Sequence, residues 1–305
     1  MDTLTPFAQY LSDQDRSPLT ASGYLADIKH FSTWFEQTNH EALSPKRVTP
    51  SDIKAYKQHL LVVDRRAAST VNRHLAALSA YFRWARETGQ VHSDPTERVK
   101  SVQQVANAPK WLDKHEQFAL QRAIERDLQL SKLRYPKRWL TRRRDASLVL
   151  FLLNTGLRLS EATALRLGDI QISERKGNVH VQNGKGGKQR NVPLNTDARN
   201  ALQQWLDVRP VTGSEHIWLA VESDSDSLSG RAVQRILQRY AQDAGLEELT
   251  PHICRHTFAK NLVNSGTGLE KVAALLGHAN MNTTRLYITP DESDLEFAVE
   301  KLSQS

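Results

Sequence analysis

The chain has 305 residues, with 41 Lys+Arg against 34 Asp+Glu and a formal net charge of +7, a length for two domains and a balance that favours a polyanionic partner. Hydrophobic residues make up 39% and charged residues 25%, ordinary globular usage that excludes a largely disordered or fibrous chain; no apolar run approaches the ~18 residues of a membrane span, and no secretory signal is read at the N-terminus. Cys254 is the single cysteine, which excludes an internal disulfide and a thiolate zinc cluster and suits a cytoplasmic protein.

Residues 1–91 read as a bundle of four short helices. Tyr24, Ile28, Phe31 and Phe35 recur at spacings of three and four, an amphipathic stripe. Thr49-Pro50-Ser51-Asp52 offers capping residues before Ile53, Tyr56, Leu60 and Leu61. A helix from Ser69 to Thr88 carries Val71, Leu75, Leu78, Phe82 and Ala85 on one face and ends at Gly89. Residues 92–110 show no sustained period and read as a linker.

The second domain spans 111–305. Asp113 reads as an N-cap, with Phe118, Leu120, Ile124 and Leu128 behind it; residues 130–141 interrupt at Pro136, and a further helix runs over about 142–154. The period then changes to two in Asp169-Ile170-Gln171-Ile172, Asn178-Val179-His180-Val181-Gln182 and Arg190-Asn191-Val192-Pro193, three short strands. Helices return at about 197–208, 230–244, 251–264, 269–276 and 293–302. The fold class is mainly α with a small antiparallel β-sheet.

Four segments carry polar residues suited to chemistry. In Thr155-Gly156-Leu157-Arg158-Leu159-Ser160-Glu161, a glycine breaks an apolar helix, and Arg158 stands at the junction before helix restarts. In Pro251-His252-Ile253-Cys254-Arg255-His256, His252 and Arg255 share the first turn of a helix, where side-chain charge and backbone N–H groups suit an anion; His256 lies on another face and reads as structural. Leu275-Leu276-Gly277-His278 ends a helix, and Tyr287 follows nine residues later. Asn183-Gly184-Lys185-Gly186-Gly187-Lys188-Gln189-Arg190 reads as a hairpin tip without the ending of a nucleotide-binding loop. Taken singly, the first, second and fourth are equally a surface arginine, a polar helix start and a solvated basic hairpin, and a tyrosine between Leu286 and Ile288 is more often a core residue than a nucleophile.

Their joint order resembles the tyrosine recombinase, or phage integrase, superfamily. The resemblance spans about 111–302 and rests on Thr-Gly-Leu-Arg-Leu-Ser-Glu, Gly-Lys-Gly-Gly-Lys-Gln-Arg-Asn-Val-Pro-Leu and Leu-Leu-Gly-His standing in sequence. It implies a core-binding (SAM-like) bundle followed by a catalytic domain. The family's active-site positions fall on Arg158, Lys185, His252, Arg255, His278 and Tyr287, with Glu161 in support. The implied activity is site-specific recombination: DNA is cut and rejoined through a 3′-phosphotyrosine and a Holliday junction, with no cofactor and no metal.

These residue types match that chemistry. A phenol has a pKa of about 10, so forming its anion at pH 7 costs about 4 kcal/mol. His252 would take the proton as general base, and Lys185 would protonate the departing 5′ oxygen. Arg158 and Arg255 would fork onto the non-bridging phosphate oxygens, where one lost donor typically costs on the order of 3 kcal/mol. His278 would hydrogen-bond the phosphate or the tyrosine oxygen. No cluster of carboxylates, histidines or cysteines at ligand spacing suggests a two-metal nuclease.

The partner that the resemblance implies is a double-stranded DNA recombination site. Arg138, Arg142, Arg143 and Arg144, crowded with Arg134 and Lys137 before the Asp145 helix, read as phosphate contacts, and Lys188 on the hairpin is counted with them. Arg73, in Ser69-Thr70-Val71-Asn72-Arg73-His74, reads as part of a DNA-contacting helix start. The resemblance also implies that the C-terminal helix, with Leu295, Phe297, Ala298, Val299 and Leu302, docks on a neighbouring protomer and builds a tetramer. A cytoplasmic, nucleoid-associated location without membrane contact follows. Beginning almost directly with the bundle, the chain reads as Xer-like or transposon-type. The rivals are a relaxing topoisomerase of the same chemistry and a non-catalytic DNA-binding protein on the same fold.

Overall fold

The computed structural model describes residues 4–14, 16, 18–104, 109–182, 189–221, 226–277, 284 and 299. The chain divides into two compact units, Met1–Asn107 and Ala108–Ser305.

The first unit is built from α1 (Leu4–Asp13), α2 (Pro18–Asn39), α3 (Pro50–Val62) and α4 (Ala68–Glu87). Thr49 caps α3 as its residues suggest: its hydroxyl accepts the Asp52 N–H at 3.3 Å, and the Asp52 carboxylate accepts the Thr49 N–H at 2.8 Å. These two bonds satisfy donors that the first helical turn leaves without partners. Val71, Leu78, Phe82 and Ala85 of α4 are fully buried, and Gly89 beyond its end takes a left-handed φ of 72°. An aromatic core fills the bundle, with Phe7 edge-on to Tyr81 at 5.2 Å and Phe31 edge-on to Tyr56 at 5.0 Å.

Two polar residues of the segment read as a DNA-contacting helix start, Asn72 and His74, are committed inside this unit. Asn72 binds the backbone of Val102 through both amide atoms, at 2.9 and 2.7 Å, so the stretch read as linker begins packed against the bundle. His74 is buried, its Nδ1 3.1 Å from the Tyr56 hydroxyl and its Nε2 3.4 Å from Asp27.

The second unit opens with α5 (Lys114–Arg134), started by a capping box in which Asp113 and Glu116 exchange bonds of 2.7 and 2.9 Å. This helix continues through residue 134, past the break read at 130, and Pro136 lies in the turn before α6 (Trp139–Thr155). Leu120 and Ile124 are buried, but Phe118 is 63% exposed. Positions two apart on a helix do not share a face, so Phe118 cannot join the Leu120 stripe.

α6 is the spine of the unit. Ala146, Leu148, Val149, Phe151 and Leu152 are buried on it, covering more than one face, because α5, α8, α9 and α10 all pack against it. The remaining helices are α7 (Leu159–Ala164), α8 (Thr196–Leu206), α9 (Gly230–Ala244), α10 (Pro251–Asn264) and α11 (Leu269–Leu276). Strands β1 (Ile170–Ile172), β2 (Gly177–Val181) and β3 (Arg190–Pro193) form one antiparallel sheet in sequence order. Val179 pairs with both Ile170 and Val192, and Val181 pairs with Arg190. Among the described residues no helix is long and apolar enough to cross a membrane.

Candidate active site

Arg158 owes its place to two local breaks. Gly156 closes α6 in the left-handed conformation, with φ 60°. Arg158 then occupies the N-cap of α7, where its backbone N–H donates to Glu161 Oε2 at 2.9 Å. The same carboxylate takes the Arg158 side chain, Nη1 to Oε1 at 2.8 Å, and Arg158 Nη2 reaches across to the Gly277 carbonyl at 2.8 Å.

Arg255 comes from the first turn of α10, whose N-cap is Thr250. Although its residue type favours the surface, it is only 5% exposed, because its two terminal nitrogens donate to the carbonyls of Gly156 at 2.7 Å and Leu276 at 2.6 Å. Both arginines therefore end on the same helix terminus, the carboxyl end of α11.

Sequence reasoning missed a third arginine there. Arg190 opens β3, and its two terminal nitrogens meet the two Glu161 oxygens at 2.9 and 2.8 Å, while Nε donates to the Leu275 carbonyl at 2.9 Å. The available signal was its phase: Arg190 lies two residues before buried Val192 and opposite buried Val181, so the pleat directs it inward. A guanidinium on the buried face of a strand requires a counter-charge, and Glu161 supplies it.

Three consecutive carbonyls, Leu275, Leu276 and Gly277, thus accept from Arg190, Arg255 and Arg158 respectively. The last carbonyls of a helix have no partner within it and sit at the negative end of its dipole, so cations belong there. Burial acts to raise the Glu161 pKa, but hydrogen bonds from Arg190 and Arg158 outweigh it and hold the carboxyl at about 2. With one carboxylate set among three guanidiniums, the described part of the site keeps an excess of positive charge suited to an anion.

His252 stands exposed in the first turn of α10, its ring 6.3 Å from that of His256. Burial, then the neighbouring His252 and Arg255, push the His256 pKa down to about 4, which keeps that ring neutral near pH 7. Lys185, Lys188, His278 and Tyr287 lie outside the described residues, as does most of the C-terminal stretch read as a helix. Among the described residues no group of three or more His, Cys, Asp or Glu is placed to hold a metal ion.

The basic segment, of which Arg142, Arg143 and Arg144 lie within α6 and not before it, needs correction. Arg144 is 5% exposed, its guanidinium bonded to Asp145 at 2.6 and 3.0 Å and to the Leu219 carbonyl at 2.6 Å; it is a core residue and not a phosphate contact. Arg142 is also turned inward, to Asp127 at 3.1 Å and over the Tyr135 ring. Arg138 is exposed at the N-cap of α6, and Arg143 donates to Gln204 at the surface. Arg73 is half-exposed, with Nη1 on the Asp27 carboxylate.

Comparison with known proteins agrees with this architecture. Residues 130–294 match the phage integrase family, and residues 4–89 match the phage integrase N-terminal SAM-like domain. The chain is 32% identical over 302 residues to tyrosine recombinase XerC of Roseiflexus sp. (strain RS-1), covering 94% of this chain and 88% of the relative. It is 31% identical over 272 residues to tyrosine recombinase XerD of Ralstonia nicotianae, covering 88% and 82%. Among solved structures, XerH site-specific recombinase in a post-cleavage complex with a palindromic difH substrate shares the fold, at a TM-score of 0.74 and 22% identity over 94% of this chain and 80% of that one. A lambda integrase dimer bound to a COC′ core site does so at a TM-score of 0.69 and 18% identity, with 93% of each chain covered.

A SAM-like helical bundle followed by an arginine-lined helical domain with a three-stranded sheet defines a class, the two-domain strand-exchange enzymes. Within it, the chain belongs to the phage integrase family of tyrosine recombinases, with XerC and XerD proteins as relatives over most of its length.

Proposed function

We propose that this protein is a site-specific recombinase that cuts and rejoins double-stranded DNA through a tyrosyl ester, with Tyr287 as nucleophile. The Tyr287 oxygen attacks the scissile phosphorus, a 3′-phosphotyrosine forms, and the bond to the 5′ oxygen breaks. His252 takes the phenolic proton, Lys185 gives one to the leaving 5′ oxygen, and His278 hydrogen-bonds the phosphate or the tyrosine oxygen. Arg158 and Arg255 balance the charge that grows on the phosphate. A 5′-hydroxyl from a second duplex then attacks the ester, reversing the bond changes and building a Holliday junction. The N-terminal bundle serves as the core-binding module, and four protomers, joined through the C-terminal helix, assemble on the site in the cytoplasm at the nucleoid.

The observation that carries this reading is the convergence of Arg158 and Arg255 on one helix terminus, beside a carboxylate that neutralises only part of their charge. A structural ion pair alone would balance its charges; an excess of buried and half-buried cation suits an incoming anion.

The test is covalent trapping. Wild-type protein is incubated with nicked duplexes of randomised sequence, protein-linked DNA is recovered under denaturing conditions, and the enriched duplex is sequenced. A discrete enriched sequence linked through Tyr287, and no adduct from Tyr287→Phe, is expected. An adduct of normal yield in Tyr287→Phe would reject the nucleophile, and relaxation without exchange of flanking DNA would identify a topoisomerase instead.

A further inference from the structure

We propose that Arg190 is a positioning residue for strand cleavage, holding Arg158 and the carboxyl end of α11 in one frame against strand β3. This inference rests on the recombinase reading above and adds a residue to it.

Arg190 shares one of the two groups that hold the Arg158 side chain and lies beside the residue that supplies the other. Glu161 binds Arg158 through Nη1 and through its backbone N–H, and Arg190 forks onto the same two oxygens. The Gly277 carbonyl binds Arg158 Nη2, and Arg190 lies against Gly277 while donating Nε to the Leu275 carbonyl two residues earlier. A planar fork with a third N–H in the same plane can make all three bonds at once; a lysine ammonium cannot reproduce that geometry.

The contact links separate parts of the chain. Arg190 is 29 residues from Glu161 and 85 from Leu275. It also follows the segment containing Lys185 and Lys188, while Gly277 directly precedes His278. One side chain therefore ties strand β3 to the helix end from which the chain runs on to Tyr287.

Sharing of charge gives the arrangement a second effect. Glu161 divides its hydrogen bonds between two guanidiniums, so Arg158 is oriented without being fully neutralised. Without Arg190, the carboxylate would turn wholly to Arg158 and weaken the field that Arg158 offers a phosphate. Among the described residues Arg190 meets no other group assigned to the reaction, so its effect passes through Glu161 and α11.

The experiment uses full-length protein and the duplex recovered by trapping, comparing single-turnover adduct formation with equilibrium binding of the same duplex. Arg190→Ala is expected to slow adduct formation at least tenfold, by order of magnitude for a lost charge-assisted contact, with the dissociation constant within about twofold of wild type. Arg190→Lys should recover only a minor part of the rate. In a Glu161→Gln background, Arg190→Ala should cost much less than it does alone, because the carboxylate through which it acts has gone. If Arg190→Ala does not melt cooperatively, Arg190→Lys carries the same two comparisons. An Arg190 variant that cleaves at the wild-type rate, or an equal loss with and without the Glu161 carboxylate, overturns the role of Arg190. Failure of the wild type itself to form adduct strikes instead at the recombinase reading and takes this inference with it.

Discussion

The Glu161 carboxylate and the Arg190 guanidinium face each other through two parallel hydrogen bonds of 2.9 and 2.8 Å, with Arg158 on the same two oxygens. The Glu161 side chain is 2% exposed, so its charge is tolerable only because both guanidiniums are present. Replacing it with Gln leaves two cations without their anion. Glu161→Gln should destabilise the second unit by ~3–5 kcal/mol, the usual range for breaking a buried pair, read as a lowered urea midpoint. A loss below about 1 kcal/mol would show that the triad contributes no more than a surface ion pair.

The same carboxyl fixes the acid limit of stability. Its folded pKa of about 2 lies below the ordinary 4.5, so the stabilisation is fully present above pH 4.5 and is lost as pH falls towards 2. His256 acts in a neighbouring window: its folded pKa of about 4 lies below the ordinary 6.5, so the unfolded chain binds more protons between these values. Stability should therefore fall in two stages on acidification: first below about pH 6.5, where His256 and the buried His74, whose pKa burial also lowers, take up protons only on unfolding, and then from about 4.5 to 2 with Glu161. Urea midpoints measured across pH would show this, and His256→Asn should reduce the slope of the first stage, leaving the part due to His74, without altering the second. An unchanged slope in that variant would assign the first stage to other groups.

How far the residues announced this structure varied with the physics. Caps were legible because they are local: Asp113, Thr49 and Gly89 each fix a helix end through bonds or conformations set within a few positions. Arg158, Arg255 and Glu161 were legible through their motif, and the structure brings them together. Arg190 was not, because its partners are 29 and 85 residues away and only strand phase hinted at its direction. Arg144 misled for the converse reason: within a run of basic residues its charge looks solvated, yet helix rotation turns it inward onto Asp145.

That difference separates two arginines six residues apart in sequence. Arg144→Ala removes a buried guanidinium and leaves Asp145 and the Leu219 carbonyl short of donors. It should cost ~3 kcal/mol or more in stability. Arg138 is exposed, so Arg138→Ala should leave the urea midpoint unchanged while reducing the slope of log binding constant against log salt by about one. Equal effects of the two variants on stability would contradict the burial of Arg144, and an unaltered salt slope in Arg138→Ala would remove it from the DNA contacts.

Gly277 tests the frame around α11 from the backbone side. Its φ of 65° is left-handed, and a Cβ added there would meet Arg190 Nη1 at 3.0 Å, Cζ at 3.1 Å and Cδ at 3.2 Å. Gly245 provides the control, with φ 70° and nothing within 4 Å of an added Cβ. Both alanine variants carry the strain of a positive φ, on the order of 1 kcal/mol, but only Gly277→Ala presses on a side chain already held by three hydrogen bonds. Arg190 can relieve that contact only by leaving Glu161 or the Leu275 carbonyl. Gly245→Ala should therefore lower the urea midpoint slightly and form covalent adduct at the wild-type rate. Gly277→Ala should lose more stability and slow adduct formation as well; matching behaviour of the two would mean that Arg190 yields without cost.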